Sequence, residues 1–214
     1  MEILDAYRTL AAPSEGLYKE AGSRFIAFAL PVRTEEDIRS AVERLRREYH
    51  DARHVCYAWR LAEVSGDAGA PTLDLSSRWR ANDDGEPSGT AGRQILSRID
   101  SAGLNDILVA VVRYFGGVKL GVPGLIKAYR TATDDALSSV ESMETVAARS
   151  WRIGFEYGQM PAVMNEIKIL GLEVSARGFE ASCSLQLRVR LQKEQDFLER
   201  MEKIGIFKNK IEML

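Results

Sequence analysis

Asp83, Asp84 and Glu86 fall within four residues of one another, directly ahead of Ser88 and Thr90, in the segment ANDDGEPSGTAGR (81–93). Carboxylates and hydroxyls gathered beside free backbone N–H groups can hold a cation, a ribose or a phosphate. A plain turn into a helix explains the same residues. Acidic side chains are favoured just ahead of a helix N-terminus, Ser88 and Thr90 are N-cap types, and DG and EPSG are turn sequences. Arg113 stands inside the apolar run DILVAVVRYFGG (106–117). A guanidinium buried there must be paired, and the three carboxylates are its natural partners, in a structural ion pair or a substrate-binding group. Gly116, Gly117, Gly121 and Gly124 surround Lys119 between a strand and a helix, the position of a phosphate-cradling loop. GGVKLGVPG matches neither GxxxxGK[ST] nor GxGxxG, so the nucleotide-binding signal is weak and glycines that allow close helix–strand packing are the favoured reading. His54 and Cys56 share one face of a strand with no acidic orienter evident, which favours a satisfied histidine over a catalytic dyad.

The chain has 214 residues, 45% hydrophobic and 28% charged, with 29 basic and 31 acidic side chains. That composition is globular and excludes a mainly disordered chain, a collagen-like repeat and a disulfide scaffold. Residues 1–147 carry 18 Lys+Arg and 22 Asp+Glu, net −4; residues 148–214 carry 11 and 9, net +2. Whole-chain charge therefore lacks a nucleic-acid footprint, and no DNA partner is expected, but a local basic patch for RNA is allowed. Cys56 and Cys183 are far apart, and His50 and His54 have no downstream partner, so neither a metal site nor a cofactor is expected. No apolar stretch is long enough for a membrane span, and MEILDAYRTL lacks the features of a signal peptide, so a cytoplasmic protein is expected.

The elements that must position these residues read as follows. Residues 23–32 form a strand, and Thr34 with Asp37 makes a capping-box start for a helix with Ile38, Ala41, Val42, Leu45 and Tyr49 inward. Arg39, Glu43, Arg46 and Arg47 form its wet face. Residues 53–62 form a strand with Val55, Tyr57, Trp59 and Leu61 on one side. EVSGDAGAPT (63–72) reads as a mobile loop and 73–80 as a short strand. The 81–93 segment leads into a helix with Ile95, Leu96 and Ile99, ending at Gly103. The run 106–115 is apolar on both faces and so central. VKLGVPGLIKAYR (118–130) opens a long helix with Leu125, Ala128, Tyr129, Ala132, Ala136 and Val140 inward.

The last third reads β-α-β-β-α-β, a ferredoxin-like order. Trp151, Ile153, Phe155 and Tyr157 alternate in a strand, and Pro161 opens a helix stopped by Gly171. Strands from Leu172 and over Cys183–Leu191 flank a turn at Gly178. A helix with Phe197, Leu198, Met201 and Ile204 ends at Gly205, and a last strand starts near Ile206. Residues 141–149 read as a linker between domains 1–142 and 149–214.

SRFIAFALPV, ARHVCYAWR, DDGEPSGTAGR and LVAVVRYFGGVKLGVPGLIKAYR, in that order and spacing, closely resemble the IMPACT/YigZ family, over about residues 15–140. The tail resembles the extra C-terminal domain of the bacterial two-domain members. Where the family commonly has LGTGGL this chain has LGVPGL, and Pro123 removes one backbone donor. The resemblance implies an α+β protein. Its first domain is similar to the left-handed βαβ fold of ribosomal proteins and elongation factor G domain IV. Its second is similar to domain V of that factor. The eukaryotic relative is similar to a translational regulator that contacts its partner through an additional N-terminal RWD module, for which this chain has no room.

The expected function is accordingly non-catalytic regulation of translation through RNA or a ribosomal component, with a protein partner possible. The alternatives are a small-molecule hydrolase using Asp83, Asp84, Glu86 and Arg113, and a protein-binding adaptor. Candidate anion or RNA contacts are Asp83, Asp84, Glu86, Ser88, Thr90, Arg93, Arg113, Lys119, Lys127 and Arg130. A helix from the first turn, followed by an antiparallel return along 106–115, should bring the DDGEPSGT and GGVKLG turns together at one end of the sheet. Ser88 and Thr90 would then face Lys119 beside Arg113.

Overall fold

The computed structural model describes residues 5–179 and 183–214. The fold is α+β with three antiparallel sheets. Two compact units are present. One comprises Tyr7–Glu63 and Leu75–Thr145; the other comprises Val64–Asp74, Val146–Leu214 and the N-terminal stretch through Ala6. Among the described residues no helix is long and apolar enough to cross a membrane.

The sheet of the first unit has β2 (Ser14–Glu20), β3 (Ser23–Pro31), β4 (His54–Asp67), β5 (Ala70–Asn82) and β6 (Ile107–Tyr114), in the order β2-β3-β6-β4-β5, and the hairpin ends of β4 and β5, 64–67 and 70–74, are part of the second unit. Strand β1 (Ala6–Leu10) lies apart from them. β6 is the middle strand, antiparallel to both β3 and β4. Its residues are buried whichever way they point. Ile107, Val109 and Val111 pack with α2 (Gly92–Ala102) and α3 (Gly121–Ser138). Leu108, Ala110 and Val112 pack towards α1 (Glu35–Glu48) through Ile38, Val42 and Leu45. Cover on both faces is why this strand shows no alternation. Helix α1 starts with the expected reciprocal cap: Thr34 accepts from the Asp37 N–H at 3.1 Å, and Asp37 accepts from the Thr34 N–H at 2.9 Å. Helix α2 stops at Gly103, which adopts the left-handed conformation.

Three expectations for the middle of the chain are corrected. Residues 63–72 are not a loop, and the strand expected at 73–80 is longer: β4 runs to Asp67, β5 begins at Ala70, and only the turn at 68–69 separates them. The reason lies in a distant side chain. Arg149 donates from Nη1 to the Asp67 carbonyl at 3.2 Å and from Nη2 to the carbonyls of Gly66, at 2.7 Å, and Ser65. Its Nη1 also donates to Glu194 at 3.0 Å, and the Gly69 N–H donates to the same Glu194 oxygen at 2.9 Å. The expected linker at 141–149 contains β7 (Ser142–Val146), paired with β1 in a two-stranded sheet.

The second unit carries β8 (Ala148–Phe155), α4 (Met160–Leu170), β9 (Glu173–Phe179), β10 (Cys183–Arg190), α5 (Glu194–Lys203) and β11 (Ile211–Met213). The sheet order is β11-β8-β10-β9, with every pair antiparallel. Trp151, Ile153 and Phe155 alternate inward against Val163, Ile167, Phe197 and Met201. Tyr157 does not continue that strand; it is 81% exposed. The Glu156 N–H donates to the Gln159 side chain at 2.9 Å, closing a 3₁₀ turn that ends the alternation. Leu191 is buried but begins another such turn. The last strand starts at Ile211, because residues 208–210 form a third turn and pairing begins at Ile211 opposite Ile153. Gly178 sits inside β9 opposite Ser184, and the connection expected there lies outside the described residues.

Candidate anion-binding cavity

The two signature turns flank one cavity of about 570 Å³ in the first unit. Glu86 and Pro87 enter it from the turn after β5. Arg113 and Phe115 enter from the end of β6. Lys119, Leu120, Gly121 and Val122 come from the turn into α3. Gly116 lets this corner close. A Cβ there would lie 1.9 Å from the Gly22 carbonyl carbon in the β2–β3 turn, so only glycine fits.

The buried centre is an ion pair. Arg113 Nη1 donates to Glu86 Oε1 at 2.5 Å, with side chains 8% and 2% exposed. The Tyr129 hydroxyl donates to the same oxygen at 2.9 Å. Burial pushes the Tyr129 hydroxyl well above the ordinary tyrosine range, and the nearby Cys56 and Glu86 add to this, so it stays protonated and donating. Cys56 lies 3.2 Å from that hydroxyl, and its Sγ donates to the Asp83 carbonyl at 3.0 Å. Burial likewise pushes the Cys56 thiol far up, against the Tyr129 bond that lowers it, so no thiolate forms near neutral pH. His54 Nδ1 is 2.7 Å from the Asp84 carbonyl. A carbonyl only accepts, so Nδ1 carries a hydrogen, and His54 Nε2 lies 3.8 Å from Glu86 Oε1. The expected reading of His54 and Cys56 as satisfied residues agrees with these contacts.

The carboxylates do not act as one cluster. Asp83 caps α2 from a distance: Oδ1 accepts from the N–H groups of Ala91 at 3.0 Å and Gly92 at 2.8 Å, and Oδ2 from Gly89 at 2.8 Å. This corrects the expectation that Ser88 or Thr90 caps the helix. Ser88 is exposed, and the buried Thr90 hydroxyl donates to the Pro87 carbonyl at 2.7 Å. Neither lines the cavity or faces Lys119. Asp84, in a left-handed conformation at φ 44°, accepts from the Val55 N–H at 2.7 Å and from Arg46 at 2.6 Å. Arg46 is therefore paired, although on the exposed face where it was expected. Only Glu86 of the three reaches the cavity.

Among the expected cations, Arg113 and Lys119 line the cavity, whereas Arg93, Lys127 and Arg130 lie outside it. Lys127 is paired with Glu20 at 3.3 Å. Sequence reasoning missed three contributors. Tyr129 was read as core, yet a buried tyrosine hydroxyl needs a partner, and that requirement was the available signal. Arg53, just ahead of β4, is exposed at the mouth and makes no side-chain pair among the described residues. Phe115 is 45% exposed beside it, with the Arg113 guanidinium 5.9 Å from its ring centre. An apolar run ending in an aromatic gave no hint that the last ring faces water. Among the described residues no group of three His, Cys, Asp or Glu is placed to hold a metal ion.

Comparison with known proteins gives this unit its relatives. Residues 21–137 match the family profile of the Impact N-terminal domain. An IMPACT family member of Haemophilus influenzae is 35% identical over 167 residues, covering 78% of this chain and 77% of the relative. YigZ of Escherichia coli, an IMPACT family member, is 34% identical over 160 residues, covering 75% and 74%. A solved crystal structure of a hypothetical protein superposes with a TM-score of 0.71 at 28% identity, covering 99% of this chain and 98% of that one. Similarity of this extent, together with the profile match over the signature domain, makes the chain a member of the IMPACT family.

Proposed function

We propose that this protein binds RNA, or an RNA-bearing ribosomal component, without transforming it, and acts on translation through that contact. The observation that carries the reading is the cavity mouth. The half-exposed Phe115 ring stands beside Arg53 and Lys119, which make no side-chain pair among the described residues. An aromatic face next to free cations is how single strands are held: bases stack on the ring while cations meet phosphate. The translational setting follows from the resemblance of the signature motifs. The order β11-β8-β10-β9 supports reading the second unit as ferredoxin-like, similar to elongation factor G domain V. We likewise read the first as similar to domain IV of that factor, with domains at 1–142 and 149–214 and a cytoplasmic setting.

The hydrolase alternative draws less support from the geometry. It needs Asp83 and Asp84 beside the reacting group, and both are engaged in backbone and Arg46 contacts. Fluorescence anisotropy of a labelled 12-nucleotide single-stranded RNA across 50–200 mM salt tests the proposal. Affinity should fall steeply with salt, as phosphate contacts require. Phe115→Ala should weaken binding by about 1–3 kcal/mol, and Arg188→Ala in the second unit should leave it unchanged. Salt-independent binding, or full affinity in Phe115→Ala, overturns the reading.

A further inference from the structure

We infer that the cavity takes a terminal phosphate, a phosphomonoester joined to a nucleoside, rather than an internal phosphodiester; this rests on the RNA reading above for the source of that group.

The first observation is an incomplete guanidinium. Arg113 is more than nine-tenths buried and lines the cavity, yet among the described residues its Nε has no hydrogen-bond partner, and Nη1 bonds only Glu86. Buried donors left unmatched are uncommon and costly, so an acceptor is called for at this point.

The second observation is the start of α3. Helix α1 meets Asp37 at its N-terminus, and α2 meets Asp83. The 18-residue α3 has no side-chain cap and no acidic residue in its first turn, and its first residues, Leu120 to Val122, face the same cavity. Unpaired N–H groups at a helix start attract an anion. Pro123 removes one of them, but those of Gly121 and Val122 remain, and Gly121 holds the turn at φ 68°.

Charge and depth then select the ligand. Among the arginine, lysine and carboxylate side chains that line the cavity, Arg53, Arg113 and Lys119 oppose Glu86. That leaves two positive charges against a phosphomonoester of about −1.5 to −2 at pH 7. An internal phosphodiester carries one charge and is flanked by two sugars. It can ride past Lys119 at the surface but cannot reach the buried Arg113. A cavity of about 570 Å³ has the size of a small-ligand site. It has room for one nucleotide whose base meets Phe115 at the mouth.

The test compares one short RNA with a 5′-phosphate or a 5′-hydroxyl, and adenosine 5′-monophosphate alone, each titrated into the full chain at fixed salt. The 5′-phosphate should raise affinity at least tenfold. That gain should vanish in Lys119→Ala and in Arg53→Ala, both exposed positions whose loss leaves the fold intact. Phe115→Ala should weaken both RNAs and preserve their ratio. The Arg113 Nε–H resonance should shift when adenosine 5′-monophosphate is added. Equal affinity for the two RNAs, with Phe115→Ala weakening both, overturns the terminal-phosphate inference and leaves the RNA reading standing. Tight mononucleotide binding with no gain from the RNA strand supports the phosphomonoester and overturns RNA as its source. Absence of binding by all three overturns both.

Discussion

Among the described residues each unit buries one arginine–glutamate pair, and the two pairs do different work. In the second unit both Nη atoms of Arg149 donate twice, to Glu194 and to three carbonyls of the β4–β5 hairpin. In the first unit Arg113 makes one bond to Glu86 and keeps an unpartnered Nε beside a cavity. Exposure is the same, 8% for either arginine side chain, so burial alone does not distinguish them. The count of donors in use does. A guanidinium has five N–H groups; one that fills them with backbone carbonyls is a fastener, and one that leaves them open is able to receive a ligand.

Removing the fastener should have the largest effect. Arg149→Ala strands Glu194 without its cation and leaves three carbonyls short of a donor, a loss of about 3–5 kcal/mol in urea denaturation. Arg113→Ala should cost less, about 3 kcal/mol, because Glu86 keeps the Tyr129 hydroxyl as a donor. A cost for Arg113→Ala equal to or above that of Arg149→Ala would erase the distinction between the two pairs.

Acid separates the units in another way. Asp5 is fully buried in the second unit, where it accepts from Arg190 Nη2 at 2.8 Å and Nε at 3.0 Å. Burial pushes its carboxyl up, but the Arg190 bond and the Gln192 N–H outweigh this and hold it below the usual range. A lowered folded value means stability present above the unfolded pKa, about 3.9, and lost as pH falls through the lower folded value. Asp5→Asn should therefore cost about 2 kcal/mol at pH 7, and the gap to the parent protein should shrink steadily below pH 4. A gap unchanged down to pH 2 would show that the Asp5 charge contributes nothing.

Local rules made much of the fold readable. The double-faced apolar run became the central β6, Thr34 and Asp37 capped α1, and Gly103 and Gly171 stopped their helices. Expectations failed where a distant group decides. Residues 63–72 look like a loop because they hold Gly and Pro, yet Arg149, 82 residues beyond Asp67, fixes their carbonyls in a hairpin. Ser88 and Thr90 have the right chemistry for a cap, but Asp83 reaches the helix start through a turn whose shape no spacing rule encodes. At the site, the pairing of Arg113 with one of three carboxylates was legible from burial. The choice of Glu86, and the hydroxyl of Tyr129 beside it, depended on how α3 crosses the sheet.

The smallest effect belongs to the exposed relative of these pairs. Arg46 Nη2 lies 2.6 Å from Asp84 Oδ1, with side chains 47% and 24% exposed. Water screens such a pair, and holding a long arginine in one rotamer opposes the gain, so Arg46→Ala should cost under about 1 kcal/mol. The residual effect should fade further at 1 M salt, where the screening length drops to about 3 Å. Asp84 keeps its other duty in that variant, since its second oxygen still accepts from the Val55 N–H at 2.7 Å. Asp84→Ala removes both contacts and places alanine at φ 44°, so it should cost clearly more than Arg46→Ala. Measured together, Arg149, Arg113 and Arg46 should descend in that order, with only the last moving with salt. A salt-dependent loss in Arg113→Ala matching that of Arg46→Ala would place Arg113 in contact with bulk water and leave it no special donor to offer.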